Sequence, residues 1–209
     1  MTIRRFDNIL AGSLPVAIYD SVLLDLDEVV VAPTLGSIVP NWVLAIPKAR
    51  CTNSAVWCRQ HRASAVELVA KITDRLGQRA QNVIWFEHGA VARGDAIGCG
   101  VDHAHIHMLF NPPFSFSEFK QVVTAVAKAL SWQEGIRNPY DVILDGESYL
   151  VAGAEREYVL ARSVEIVGSQ FFRRIVAALV NRGDAWDYRI HPHLANVEAT
   201  LASFGHNAA

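Results

Sequence analysis

Hydrophobic and polar positions divide the chain into short apolar runs and amphipathic stripes. Residues 16–20 and 22–31 read as strands, the second rich in β-branched side chains, and 42–46 is a short apolar run between Pro40 and Pro47. From 54 to 76 the spacing predicts one helix, with Leu68, Val69, Ile72 and Leu76 on one stripe and Gly77 placed to end it. Residues 82–86 predict another strand, running into Glu87, His88 and Gly89. A loop with Gly94, Gly98 and Gly100 leads to an alternating run that Asn111, Pro112 and Pro113 stop. The next helix opens on a capping box, Ser115 with Glu118, and carries Phe119, Val122, Val123, Val126 and Leu130 on one face. After about residue 140 the pattern restarts, with strands over 148–152 and 157–161. A helix over 170–180 follows, opened by Gly168 and Ser169 and closed by Gly183, then a short helix over 194–204. Strands interrupted by helices without regular βαβ alternation predict an α+β fold with an antiparallel sheet. The expected division is a domain over 1–140 and a C-terminal α/β extension over 141–209, packed on or beside it.

Within the alternating run stand His103, His105 and His107, separated by Ala104 and Ile106 and followed by Met108. Strand residues at i, i+2 and i+4 share one face, so three imidazoles line one surface while Ala104, Ile106 and Met108 face a core. Each buried ring carries a donor and an acceptor that need partners, so packing alone is a poor reason for such a row. Two chemistries fit. A neutral imidazole is a nucleophile near neutral pH, well suited to a phosphorus centre because the N–P bond forms and is cleaved readily. Alternatively, a rigid His-x-His pair supplies two metal ligands. A hydrogen-bonded histidine ladder is the third reading.

Composition narrows the setting. The chain has 209 residues, 51% of them hydrophobic, enough for one sizeable core. A net charge of −2, with no like-charge run, argues against a general nucleic-acid surface. No apolar stretch approaches a membrane span or a secretory h-region, and the three cysteines (Cys51, Cys58 and Cys99) suit reduced thiols better than a disulfide framework. The expectation is a cytoplasmic protein with no membrane partner. Arginine outnumbers lysine, which suits phosphate recognition, although coding bias gives the same excess.

The segment over 98–109, Gly-Cys-Gly-Val-Asp-His-Ala-His-Ile-His-Met-Leu, resembles the histidine triad (HIT) superfamily of nucleotide hydrolases and transferases, whose signature is His-φ-His-φ-His-φ-φ. Residues 39–48 look like that fold's Pro-Gly-His strand, and Phe86 to Gly89 matches the order of its parts. The C-terminal third, with its segments over 168–174 and 186–189, looks like the extension of longer bacterial triad proteins described as diadenosine polyphosphate hydrolases. The resemblance implies a HIT-like antiparallel sheet flanked by two helices, making 1–140 a nucleotide-binding catalytic domain. It also implies a homodimer, a nucleotide or nucleotide conjugate as substrate, and neither a cofactor nor a resident metal. It makes His105 the nucleophile that attacks the α-phosphorus, His107 the contact to phosphate oxygens near the scissile bond, and His103 an orienting hydrogen-bond partner. The leading activity it implies is hydrolysis of a dinucleoside polyphosphate or nucleoside phosphoramidate through a nucleotidyl-histidine. The alternatives are transfer of the nucleotidyl group to phosphate or a sugar phosphate, and nucleotide binding without catalysis.

Departures from the family pattern supply the remaining candidates. Where the hydrolase branch often carries Gly-Gln before the triad, this chain has Gly98-Cys99, followed by Gly100. The family histidine of the upstream strand is replaced by Trp42, and Thr34 stands where some members carry asparagine. The Gly-Cys-Gly and Phe-Glu-His-Gly segments are closer to the transferase branch, which usually has glutamine at the position of His107. Ser169 and Gln170, at a helix start followed by Arg173 and Arg174, form a candidate anion site, with Gln170 taking over a phosphate contact; an ordinary N-cap is the alternative. His88 is a candidate extra proton carrier or a loop histidine. Cys58 and His61 have ligand spacing but fall inside a predicted helix, and His191 with His193 is a decoy for the triad.

Overall fold

Among the described residues the strand-forming runs assemble into one eight-stranded antiparallel sheet. The structure, a computed structural model, describes residues 5–11, 17–77, 82–92, 94, 95, 97, 103–165 and 168–205. The strands are β1 (Leu24–Asp25), β2 (Val29–Pro33), β3 (Trp42–Pro47), β4 (Val83–Gly89), β5 (Ile106–Phe110), β6 (Trp132–Ile136), β7 (Tyr149–Ala154) and β8 (Glu157–Arg162). Their order across the sheet is β1-β2-β3-β5-β4-β7-β8-β6, so β5 lies between β3 and β4. The helices are α1 (Arg5–Leu10), α2 (Ser54–His61), α3 (Ala65–Arg75), α4 (Phe116–Val126), α5 (Phe171–Leu179) and α6 (Leu194–Phe204). The fold class is α+β, as the strand and helix pattern predicts.

Alternation along the strands sorts the side chains onto two faces. On one face Val31, Val43, Trp85, Ile106, Met108 and Val151 pack beneath α2 and α3. On the other, Trp42, Ile84, Phe86 and Leu109 pack beneath α4 and α5, and α1 lays Phe6 and Ile9 over Val30, Ala32, Leu44 and Ile46. That second face is the histidine face. Strands β7 and β8 belong to the same sheet as the triad strand, joined to it through β4.

Three expectations meet corrections, and one strand was not foreseen. Residues 18–20, read as strand, form a 3-10 turn, because Asp20 and the Tyr19 carbonyl both accept from Arg5 instead of joining a ladder; residue 16 lies outside the described residues. The run over 22–31 is a tight hairpin, closed by Leu26 N–H donating to the Val29 carbonyl at 2.9 Å, since the acidic stretch at 25–28 is more stable in water than in a ladder. The helix over 54–76 is two helices, broken at Arg62, which takes a left-handed conformation (φ 51°) while Ala63 N–H caps the Cys58 carbonyl at 2.9 Å. The edge strand β6 has no expectation behind it: its polar, mostly exposed sequence pairs only with β8. The capping box at Ser115 and the helix over 194–204 form as predicted.

Candidate active site

Pairing places His107 at the centre of the sheet, opposite Leu44 on β3 and Phe86 on β4. The regular ladder of β5 begins only at Ile106, so His103 and His105 precede the strand rather than lying within it. The three nevertheless form a continuous row. His105 and His107 rings are 5.0 Å apart between centroids, and Phe6 of α1 stands edge-on to both His103 and His105. Ala104, Ile106 and Met108 are buried, the latter two in the core beneath α2 and α3, as the alternation predicts.

Hydrogen bonds fix which ring nitrogen carries each proton. A carbonyl only accepts, so His103 Nε2 donates to the Pro47 carbonyl at 2.7 Å and His105 Nδ1 donates to the His103 carbonyl at 2.9 Å. His105 Nε2 therefore carries the lone pair. His107 is held the other way round: the indole N–H of Trp42 donates to its Nδ1 at 3.0 Å, both side chains being buried, so its proton sits on Nε2. Phe86 stacks on the His107 ring at 4.8 Å. His88 Nε2 accepts from the backbone N–H of Phe172 at 3.3 Å, placing its proton on Nδ1.

Burial disfavours the charged form of these rings. It pushes His105 down to about 4, with His103 and Arg5 adding repulsion and the bond to the His103 carbonyl opposing it. His88 falls to about 3 through burial, then repulsion from His105, Arg173 and Arg174. His107 falls well below the ordinary range for the same primary reason, with His105, Arg173, His88 and Arg5 contributing. All three are neutral at pH 7.

Two arginines border the row, Arg173 buried and Arg5 half-buried. Arg5 is pinned by Asp20 and by the Tyr19 and Pro33 carbonyls. Arg173 donates to the carbonyls of Trp186, Leu35 and Gly36 and lies 4.9 Å from the Trp42 ring centroid. Gly36 (φ 71°) permits this approach, since a Cβ there would lie 2.6 Å from Arg173 Nη2 and 2.4 Å from Tyr188 Cβ. Sequence reasoning gave Arg5 no role, and Arg173 entered only through a helix start; no local signal marks either as lying beside the triad.

The remaining candidates are distributed as follows. Thr34 is buried and its hydroxyl has no partner; it follows Ala32 by two residues, continuing the alternation of the histidine face. Gln170 is fully buried in a left-handed conformation (φ 57°) and donates to Asp187 Oδ1 at 3.1 Å. It occupies the N-cap position of α5 without a side-chain cap, whereas Ser169 is exposed one residue earlier. The α5 start and His88 are brought together through Phe172. Cys99 and Gly100 lie outside the described residues. Cys58 is in the core and His61 stacks on Trp57 and pairs with Glu28, so the two do not share a site. Among the described residues no three His, Cys, Asp or Glu side chains converge so as to hold a metal ion. His193 holds the Ala185 carbonyl at the start of α6.

On the reverse face of β4, Glu87 is buried and accepts from Ser54 N–H, Ser54 Oγ, Tyr140 and Tyr149 at 2.7–2.8 Å. Burial raises its pKa against those bonds. Gly89 lets the Tyr149 ring pass on its way to Glu87, for a Cβ would fall 2.1 Å from Tyr149 Cε1. This cluster anchors α2 to the strand that carries His88. A cavity of about 670 Å³ opens between the α2–α3 corner and the β6–β8 edge, and none of the triad histidines lines it. The chemistry of the histidine row, not cavity size, therefore locates the candidate site.

No protein-family model and no curated protein matches the sequence. Among solved structures the chain is similar to yeast Ap4A phosphorylase Apa2 in complex with AMP, with 13% identity and a TM-score of 0.42 over 95% of this chain and 80% of that one. It is also similar to yeast Ap4A phosphorylase Apa2 itself, with 11% identity and a TM-score of 0.39 over 85% and 72%. Both scores lie below 0.5, and the functional reading rests on the side chains. No helix among the described residues is long and apolar enough to cross a membrane.

Proposed function

We propose that the chain is a histidine-triad-type nucleotidyl transferase that works through a covalent nucleotidyl-His105. The observation that carries this is the tautomer of His105: its Nδ1–H is committed to the His103 carbonyl, so the lone pair is left on Nε2. With its pKa near 4, the ring is unprotonated and ready to attack at neutral pH. Attack forms an N–P bond to the α-phosphorus and leaves a ring positively charged, which the His103 carbonyl stabilises. The Nε2–H of His107 is a fixed donor for a non-bridging phosphate oxygen. Arg5 and Arg173 supply positive charge nearby, and the unpartnered Thr34 hydroxyl is a further polar group for the ligand.

The second step separates transfer from hydrolysis, the leading expectation from sequence. Water must lose a proton as it attacks, and His88, His105 and His107 are all weak bases here. Phosphate or a sugar phosphate arrives already ionised and needs none. The site therefore supports an anionic acceptor better than water.

The test is product analysis with diadenosine tetraphosphate, with and without inorganic phosphate, on the wild type and His105→Ala. The expected result is nucleoside diphosphate formed only with phosphate, and loss of turnover in the variant. Monophosphate release at the same rate without phosphate would restore hydrolysis, and full turnover by His105→Ala would remove the nucleotidyl-histidine.

A further inference from the structure

The most unusual contact of the site is the buried bond from Trp42 to His107. An indole N–H is a donor only, so it holds His107 Nδ1 as an acceptor. For His107 to become a cation, that nitrogen would have to carry a proton facing the indole hydrogen, two donors meeting in a buried place. The charged and titratable groups acting on the ring are His105, Arg173, His88 and Arg5, none of them a carboxylate that would favour an imidazolium. Trp42 itself is held on its other side, between Phe86 at 5.7 Å and the Arg173 guanidinium at 4.9 Å.

His107 is thus a hydrogen-bond donor that has no proton to give away. A neutral imidazole that surrendered its Nε2 proton without gaining one at Nδ1 would become an anion in a buried site. Nor does the nucleophile supply a proton, because the only proton on His105 is held by a backbone carbonyl on the side away from Nε2.

We propose that Trp42, by locking the tautomer of His107, restricts the reaction to leaving groups that depart as stable anions, so the substrate class is dinucleoside polyphosphates and not nucleoside phosphoramidates. This rests on the nucleotidyl-His105 reading and narrows it. When the His105 lone pair forms the N–P bond, the bridging P–O bond breaks with its electron pair on the leaving oxygen. That oxygen ends a polyphosphate chain, and a terminal phosphate group with a pKa of about 6 leaves without protonation. In a phosphoramidate the departing atom is an amine nitrogen, which without a proton leaves as a strongly basic amide anion. Trp42 is accordingly a specificity-determining positioning residue that acts through His107.

The experiment compares kcat/KM for diadenosine tetraphosphate and adenosine phosphoramidate, in the presence of phosphate, for the wild type and Trp42→Phe. In parallel, ¹⁵N NMR of the resting wild type follows the His107 ring nitrogens from pH 8 to 5. Positioned general acids contribute about 100-fold or more, so the wild type is expected to favour the polyphosphate by about that factor. In Trp42→Phe the donor facing Nδ1 is gone while burial still disfavours the cation, so the preference is expected to narrow in part, by about tenfold at pH 6. The wild-type His107 Nδ1 signal is expected to stay that of an unprotonated acceptor throughout. Comparable wild-type turnover of both substrates, an unchanged preference in a folded Trp42→Phe, or a His107 Nδ1 that protonates within that range would each overturn the proposal. Should Trp42→Phe fail to fold, the wild-type ratio and the NMR titration still decide it. Turnover of neither substrate would instead overturn the nucleotidyl-histidine reading, and this inference with it.

Discussion

At the scale of single residues, the site is defined by where protons are allowed to sit. Neutral His88, His105 and His107 in the folded state face an unfolded chain whose histidines titrate near the ordinary value, about 6.5. Between that value and the lowered ones, about 3 for His88 and about 4 for His105, the unfolded state binds more protons. Stability therefore falls as the pH drops from about 6.5 toward 4, by about 1.4 kcal/mol per pH unit for each histidine kept neutral. Glu87, whose pKa is raised, acts in the opposite sense above its ordinary range. Urea unfolding from pH 7 to 4.5 checks this: His88→Gln is expected to remove one histidine's share of the slope. A variant with the wild-type slope would show that His88 is protonated in the fold.

Among the elements, the break between α2 and α3 is the clearest case of a local rule overridden by its surroundings. The apolar stripe from Leu68 to Leu76 lies wholly after the break, and Arg62 adopts φ 51°, a conformation that costs a non-glycine residue about 1–2 kcal/mol. The turn lets α3 swing against the sheet, where Ala65, Leu68 and Ile72 are buried with Val69. Arg62→Gly is expected to stabilise the fold by roughly 0.5–1 kcal/mol, the relieved strain less the added freedom of the unfolded chain. A urea midpoint below that of the wild type would contradict it. The 3-10 turn at Ile18–Asp20 has the same logic, because its polar groups are committed to Arg5 rather than to a neighbouring strand.

Across the whole molecule, the C-terminal segment is tied to the triad face by Arg173. Its guanidinium joins the Trp186 carbonyl to the Leu35 and Gly36 carbonyls and stacks on Trp42, while Gly36 N–H donates to the Pro192 carbonyl at 2.9 Å. Further along, Asn196 of α6 donates to the Ser37 and Ile38 carbonyls and Thr200 accepts from Asn41 N–H. Removing the Arg173 fork leaves three carbonyls without their donor, and each lost buried partner costs about 1–3 kcal/mol. Arg173→Ala is therefore expected to lower stability by roughly 3 kcal/mol and to shift the tryptophan emission as Trp42 loses its cation. An unchanged urea midpoint and emission maximum would show that the segment is held by other contacts.

What the sequence determined was periodicity and composition. Alternation alone put Ala104, Ile106 and Met108 in the core opposite the histidine side chains, the apolar runs foretold strands β3, β4, β7 and β8, and Ser115 with Glu118 marked the start of α4. These depend on neighbours a few positions apart, and the backbone geometry of strands and helices translates such spacing directly into faces. Only the tertiary structure decided what each face met. Trp42 is 65 residues from His107 in the chain, and its meaning as the group that sets a tautomer arises from a bond across β3 and β5. Arg5 had no role in the sequence reading and Arg173 only one beside a helix start, until the fold commits both to backbone carbonyls. Strand β6 and the break at Arg62 were illegible for the same reason: each is stabilised by contacts that no local pattern encodes.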